Sequence, residues 1–260
     1  MKYFAKRCFS GLALASLLTA CGGGGSSSDA VIVPPVTITS PLAGAWSGTS
    51  TSGNTVEAIV LEDGKLWAIT GLMQSNVLYV NGLNRASLQT SGNSVTSSDL
   101  RAYNFATGTS LTGTLAGTFV AGTSLSATAT ASTGAASALT LAPAPAANYN
   151  YNTPATLAAI AGSWPGFFTN ATGTLLVNAN GTYSSTTSTG CNVSGAITPR
   201  ASGKNVYDVS VNLGASPCPI PNGSGTGNAL ITLLADGSHQ LTVAFSTADA
   251  SNAGVFFGRR

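Results

Sequence analysis

The chain is expected to be all-β, folded as two tandem antiparallel up-and-down meander barrels of about eight strands each. Three observations lead there. First, apolar residues alternate with polar ones along Tyr207-Asp208-Val209-Ser210-Val211-Asn212-Leu213 and Gln240-Leu241-Thr242-Val243-Ala244-Phe245-Ser246. The run Thr123–Ala131 alternates in the same way, with leucine and alanine on its apolar face. A period of two with one apolar face describes a half-buried strand of an antiparallel sheet. Second, Asp63-Gly64, Asn180-Gly181 and Asp236-Gly237 stand between such runs, where tight hairpins need them. Third, Leu42-Ala43-Gly44-Ala45-Trp46-Ser47-Gly48 recurs as Ile160-Ala161-Gly162-Ser163-Trp164-Pro165-Gly166, each followed by a turn and then an aromatic, Trp67 or Tyr183. No segment beyond the N-terminal leader has convincing helical periodicity.

The leader comes first. Lys2, Lys6 and Arg7 form a short cationic region, and an apolar run around Leu12–Leu18 follows it. That run is much shorter than the roughly 20 residues of a membrane span and reads as an export signal. It ends Leu18-Thr19-Ala20-Cys21, which resembles the lipobox of bacterial lipoproteins. The resemblance implies cleavage after residue 20, a thioether-linked diacylglycerol on Cys21 and an acylated new amine. Several acyl chains anchor stably where one does not. Gly22 stands where many inner-membrane lipoproteins of Gram-negative bacteria carry Asp. The outer membrane is therefore implied, with surface or periplasmic orientation left open.

Residues 21–41 then read as anchor and tether, with Gly22-Gly23-Gly24-Gly25-Ser26-Ser27-Ser28 followed by Pro34, Pro35 and Pro41. Gly/Ser composition makes a flexible coil and proline a stiffer spacer, with a reach of about 25 Å over roughly 20 residues. The first barrel is assigned to residues 42–141, a Pro/Ala/Asn-rich linker to 142–155 and the second barrel to 156–260. A two-sheet sandwich is the competing fold for each half. Closure into barrels removes the uncharged Thr/Ser-rich edges that would otherwise invite pairing.

Charge is sparse, 7% of residues against roughly 25% in an ordinary soluble domain. The whole chain carries 10 basic and 8 acidic residues, and loss of the leader would leave 7 and 8. No basic cluster remains to serve as a nucleic-acid footprint. Of the four cysteines, Cys8 lies in the leader and Cys21 takes the lipid, leaving Cys191 and Cys218. In an exported protein such a pair reads as a disulfide. Closing that loop is worth about 3–4 kcal/mol by chain entropy.

The Gly-x-Trp openings, Gly44-Ala45-Trp46 and Gly162-Ser163-Trp164, resemble the first strand of lipocalin-like barrels. In that superfamily the Trp closes one barrel end and an Arg of the last strand packs across it. The end of the chain, Ala253-Gly254-Val255-Phe256-Phe257-Gly258-Arg259-Arg260, is similar to the closing strand of transferrin-binding-protein-type and factor-H-binding-type surface lipoproteins. The resemblance therefore implies that Trp46 and Trp164 close their barrels and that Arg259 or Arg260 stacks on Trp164. The first copy ends without such an Arg. Each half is small and lacks a long handle subdomain, so host-protein binding is carried over to no residue.

Nothing in the chain assembles into a catalytic or metal site. His239 is the single histidine; its parity with Leu241, Val243 and Phe245 suggests that it points inward near a strand end. There is no GxSxG elbow for a triad. Glu62 and Asp63 fall at a hairpin tip and read as a solvated turn, and nothing supports Glu57 opposite Asp99 as a catalytic carboxylate pair. The covalent lipid aside, no cofactor is implied. For recognition the candidates are aromatic: Trp67, Tyr79 and Tyr103 in the first copy, Phe167, Phe168 and Tyr183 in the second. Tyr149-Asn150-Tyr151 reads as an exposed linker or as packing between domains. The leading expectation is a non-enzymatic outer-membrane lipoprotein that meets a protein or glycan partner. A carrier of a small apolar ligand and an inhibitor of an exported hydrolase are the alternatives. The small side chains of Ala127, Ala129 and Ala131 either leave ligand space or let a narrow barrel close.

Overall fold

A computed structural model describes residues 39–74 and 77–260. The expected leader, Cys21 and most of the tether lie outside the described residues. Nine strands make up the first half: β1 (Gly44–Ser50), β2 (Thr55–Val60), β3 (Lys65–Gln74), β4 (Val77–Ser87), a short β5 (Gln89–Ser91), β6 (Ser94–Asn104), β7 (Thr109–Val120), β8 (Ser124–Ala131) and β9 (Ala136–Pro143). The pairing runs β4-β3-β2-β1-β9-β8-β7-β6, and β4 pairs back onto β6, so eight strands close a barrel. β5 adds a short pairing on β6 beside that junction.

One turn of helix, α1 (Leu157–Ile160), precedes the second half and is capped by Thr156, whose hydroxyl accepts from the Ala159 N–H. This turn has no counterpart in the sequence reading, because four residues are too few to show a helical period. Eight strands follow: β10 (Gly162–Phe168), β11 (Ala171–Val177), β12 (Thr182–Thr186), β13 (Asn192–Pro199), β14 (Tyr207–Leu213), β15 (Ser224–Leu233), β16 (His239–Thr247) and β17 (Ala253–Arg259). They form a closed barrel in chain order, all antiparallel. The alternating runs read from the sequence are β8, β14 and β16.

Two positions of the repeated opening motif have a plain physical reason. Trp46 and Trp164 are buried plugs, and each indole N–H donates four residues back, to the Leu42 carbonyl at 2.8 Å and to the Ile160 carbonyl at 2.7 Å. The glycine two residues after each Trp lies on the seam where the barrel closes. A Cβ on Gly48 would stand 2.0 Å from the Thr140 oxygen, and one on Gly166 would stand 1.9 Å from the Phe257 oxygen. No side chain fits there. The Gly-x-Trp-x-Gly pattern therefore encodes both the plug and the closure.

Each barrel holds its own apolar core. The first is built on Trp46, Val56, Val60, Leu66, Val95, Leu115, Phe119 and Leu141. The second is built on Ile160, Trp164, Leu175, Ile197, Tyr207, Val209, Leu241 and Phe256. Ala127 is buried in the first core and Ala129 packs against it, so these small residues help a narrow barrel close.

Two further clusters join the barrels through their outer faces. Ile59 and Leu61 pack with Tyr149, Tyr151 and Val206. Ile69, Leu83 and Tyr103 pack with Ala244 and Val255. This explains why β16 is buried on both faces although its sequence alternates. It also corrects the exposed-linker alternative, since Tyr149 and Tyr151 are buried in the joint between the barrels.

Candidate binding site

The second barrel is shut at one end and open at the other. At the closed end, α1 and Trp164 fill the lumen, and the Arg260 guanidinium lies 4.0 Å from the Trp164 ring centre. Arg260 also donates to the Ala161 carbonyl at 2.6 Å and to the Ala159 carbonyl at 2.8 Å, tying the end of the chain to the helical turn. Arg259 takes no part in the plug. Its strand position points it to the rim, where it pairs with Asp236 and donates to Ser238.

At the open end a cavity of about 440 Å³ enters the barrel. Leu175, Val193, Val211, Val243 and Phe256 line it from the strands, with Leu213, Phe245 and Phe168 toward the mouth. The β14–β15 connection adds Pro217, Pro219 and Ile220, and the β6–β7 hairpin of the first barrel adds Tyr103, Phe105 and Gly108. Size and apolar lining match small-molecule sites, which occupy roughly 300–1,000 Å³ and often sit in barrel mouths. Polar side chains, among them Asn104, Thr169, Asn170, Thr187 and Asn252, stand around it as well. Ser185, on the inner face of β12 between the lining residues Tyr183 and Thr187, is buried, and its hydroxyl has no hydrogen-bond partner among the described residues.

Cys191 and Cys218 form a disulfide across a sequence separation of 27, with Cα atoms 4.5 Å apart. Cys191 ends the β12–β13 turn, and Cys218 lies in the β14–β15 connection, so the bond staples that connection to the rim. Both sulfurs lie near the Asn192 carbonyl, and both cysteines are buried.

The six aromatic candidates divide three ways. Tyr103, Phe168 and Tyr183 converge on the cavity. Tyr103 donates its hydroxyl hydrogen to the Ala250 carbonyl at 3.0 Å, Tyr183 donates to the Ser210 carbonyl at 2.8 Å, and Phe168 packs 4.6 Å from Phe256. Burial raises the Tyr103 and Tyr183 hydroxyl pKa values, which keeps both rings neutral. Trp67 stands apart, half-buried on the outer face of β3 in the joint between the barrels. Tyr79 and Phe167 are exposed, at 57% and 67%.

Two sequence readings are overturned. His239 does not point inward: it is exposed at the first residue of β16, where its backbone pairs with Arg260 beyond the apolar part of the strand. Glu62 is not a solvated turn residue. Its carboxylate accepts from Arg200 at 2.6 Å and from the Tyr151 hydroxyl at 2.9 Å, and its side chain is 12% exposed. Burial pushes the Glu62 pKa up, but a backbone N–H, Arg200, Ser202 and Tyr151 outweigh it and hold it below the usual range. Arg200 also meets Asp63 at 3.1 Å and Asp208 at 2.6 Å, so one guanidinium joins both barrels. Sequence reasoning passed over Arg200 because a single Arg in a turn carries no pattern. Its scarcity was the available signal, since few cations remain in so uncharged a chain. Glu57 is exposed on β2, and Asp99 is held on β6 by Ser87 and Ser97.

No protein-family model matches the chain, and no curated protein matches it. Solved structures do overlap it. The isotype 1 transferrin binding protein B of serogroup B Neisseria meningitidis is 12% identical, with 80% of this chain covered and a TM-score of 0.27. The chain spans 66% of that protein's length, just under two thirds. A protein of Bacteroides fragilis, provisionally assigned to the outer membrane, is 14% identical with a TM-score of 0.28, covering 84% of this chain and 98% of its own. A Nostoc punctiforme protein of unknown function is 10% identical at a TM-score of 0.25, covering 86% and 97%. Superpositions this loose carry no argument about function. The tandem-barrel architecture stands on the strand pairing itself.

Proposed function

We propose that the chain is a non-enzymatic binding lipoprotein of the outer membrane whose second barrel holds a small apolar molecule in its open mouth. The observation that carries this reading is the 440 Å³ cavity, lined by apolar strand residues and closed at its far end by the Trp164 plug. The lipid on Cys21 would hold the barrels at the membrane, where apolar ligands partition.

The test is a thermal shift. A ligand that binds only the native state raises stability, by about 2.7 kcal/mol at 100 times its Kd. The uncharged apolar fluorophore N-phenyl-1-naphthylamine is expected to raise the Tm in a saturable way, and native mass spectrometry of gently purified protein to find an apolar molecule bound. A flat Tm across the titration, with protein that is ligand-free from the start, would sink the proposal.

Meeting a protein partner is the second reading. It is favoured by Leu72, Met73 and Tyr79, exposed at 46%, 49% and 57% along the β3–β4 hairpin. Scattered exposed apolar residues are ordinary, but Leu72 and Tyr79 stand directly opposite each other on one face of the hairpin and make a patch that a partner could cover, with Met73 exposed on the other face. Loss of partner binding in a Leu72→Ser, Met73→Ser, Tyr79→Ser variant with unchanged Tm would support it, and retained binding would exclude that hairpin.

A further inference from the structure

Three side chains form a row on the outer face of the first barrel, beside its joint with the second. Trp67 on β3 stands directly opposite Arg85 on β4, and Arg85 stands directly opposite Arg101 on β6. Partners in register project from one face with their Cβ atoms roughly 4.5–5.5 Å apart. All three residues are partly buried, and the Arg85 guanidinium lies 6.0 Å from the Trp67 ring centre. Two cations in direct opposition repel each other, which is destabilising unless an anion answers them. Among the described residues neither arginine has a carboxylate within ion-pair distance. Arg85 donates one N–H to the Ser246 hydroxyl at 2.5 Å. The acidic residues of the neighbouring elements are engaged elsewhere, Asp99 with Ser87 and Ser97, Asp249 with Thr247 and Ser251, and Asp208 with Arg200.

A groove of about 560 Å³ opens beside Trp67 and Arg85, which stand on one wall, while Arg101 lies outside its lining; Thr198, Ser210 and Thr226 stand on the other wall with the Arg200–Asp208 ion pair. We propose that it binds a saccharide bearing carboxylates. The guanidinium fork matches a carboxylate in two parallel hydrogen bonds. The indole offers a flat apolar face for a sugar ring. The hydroxyls opposite supply donors and acceptors for ring substituents. This site is separate from the cavity in the second barrel, and either can fail without the other.

Titration calorimetry of the full mature protein decides it, with oligogalacturonate as the acidic probe, maltoheptaose as the neutral one, and sodium acetate and inorganic phosphate as bare anions. Oligogalacturonate is expected to bind saturably and the other three not. Arg85→Lys keeps the charge but loses the fork, and is expected to weaken binding at least about tenfold. Trp67→Leu is expected to weaken it as well. Thr226 is exposed and directly opposite Ser246 on β16, so Thr226→Glu places a competing carboxylate beside Arg85 at no risk to the core. That variant is expected to abolish binding with its Tm unchanged, and it decides the matter should Arg85→Lys fail to fold. The proposal is overturned by an absence of saturable heat with oligogalacturonate, by undiminished affinity in Thr226→Glu, or by acetate or phosphate binding as tightly as the saccharide.

Discussion

Arg200 shows how much one side chain can carry in a molecule with few charges. Burial works against its charge, and the carboxylates of Glu62 and Asp208 outweigh that penalty and raise its pKa. Removing it strands Glu62 in a mostly dry position. Breaking a fully buried ion pair costs roughly 3–5 kcal/mol, but water reaches Asp63 and Asp208, so about 1–3 kcal/mol is expected for Arg200→Met by urea unfolding. The same contacts set an acid limit. Burial pushes the Glu62, Asp63 and Asp99 pKa values up, and hydrogen bonds bring each one net below its ordinary value, with Arg200 contributing at Glu62 and Lys65 and Arg200 at Asp63. A lowered folded-state pKa gives stability that is fully present above the unfolded value, about 4, and is lost as pH falls through the folded one. Wild type should therefore hold its Tm down to about pH 5 and lose it below pH 4, with a shallower loss in Arg200→Met. Little of this was legible beforehand. The Asp63-Gly64 turn was read correctly as a turn, but no local pattern says that a turn of one barrel will meet an Arg of the other.

At the scale of elements, the legible parts were those governed by local rules. Strict alternation located β8, β14 and β16, and the resemblance of the two Gly-x-Trp openings to lipocalin-like first strands implied the plugs that the fuller Gly-x-Trp-x-Gly repeat proves to encode. The second glycine of that motif makes a sharp prediction. Gly166→Ala forces a Cβ into the Phe257 carbonyl across the closing seam. It is expected to cost at least the 1–3 kcal/mol typical of overpacking, read as a lower denaturation midpoint. An unchanged midpoint would mean that the seam is slack. The disulfide belongs to this scale too. Replacing Cys191 and Cys218 with Ser releases the β14–β15 connection and should remove up to about 3–4 kcal/mol. Because Pro217, Pro219 and Ile220 line the mouth, apolar-probe affinity should fall with it. A full loss of stability with unaltered affinity would show that the staple serves the fold alone. What the sequence could not show was why β16 carries Thr242, Ala244 and Ser246 on an outer face that proves to be buried. A strand reports the period of its faces, and the partner that covers a face is a tertiary fact.

For the whole molecule, the two copies of one motif have been put to different uses. The first barrel packs its interior around Phe119, Leu125 and Ala127, and its β6–β7 hairpin helps wall the mouth of the second. The second keeps a lumen open above its Trp164 plug. Tyr103, Phe168 and Tyr183 were picked from the sequence only as aromatics, and the fold brings these three to one cavity. Leu213 and Phe245 were missed because inward-facing strand residues look alike until barrel closure decides which ones line a void. The claim that rests on all of this is that the open lumen is a ligand site. Fluorescence titration of N-phenyl-1-naphthylamine against wild type and Leu213→Trp tests it most directly, since a Trp at that partly buried rim position fills the mouth from a strand already in place. One probe bound per wild-type chain, with affinity at least about tenfold weaker in a variant of unchanged unliganded Tm, is the predicted result. Equal affinity in the two proteins would place the probe elsewhere and contradict the account.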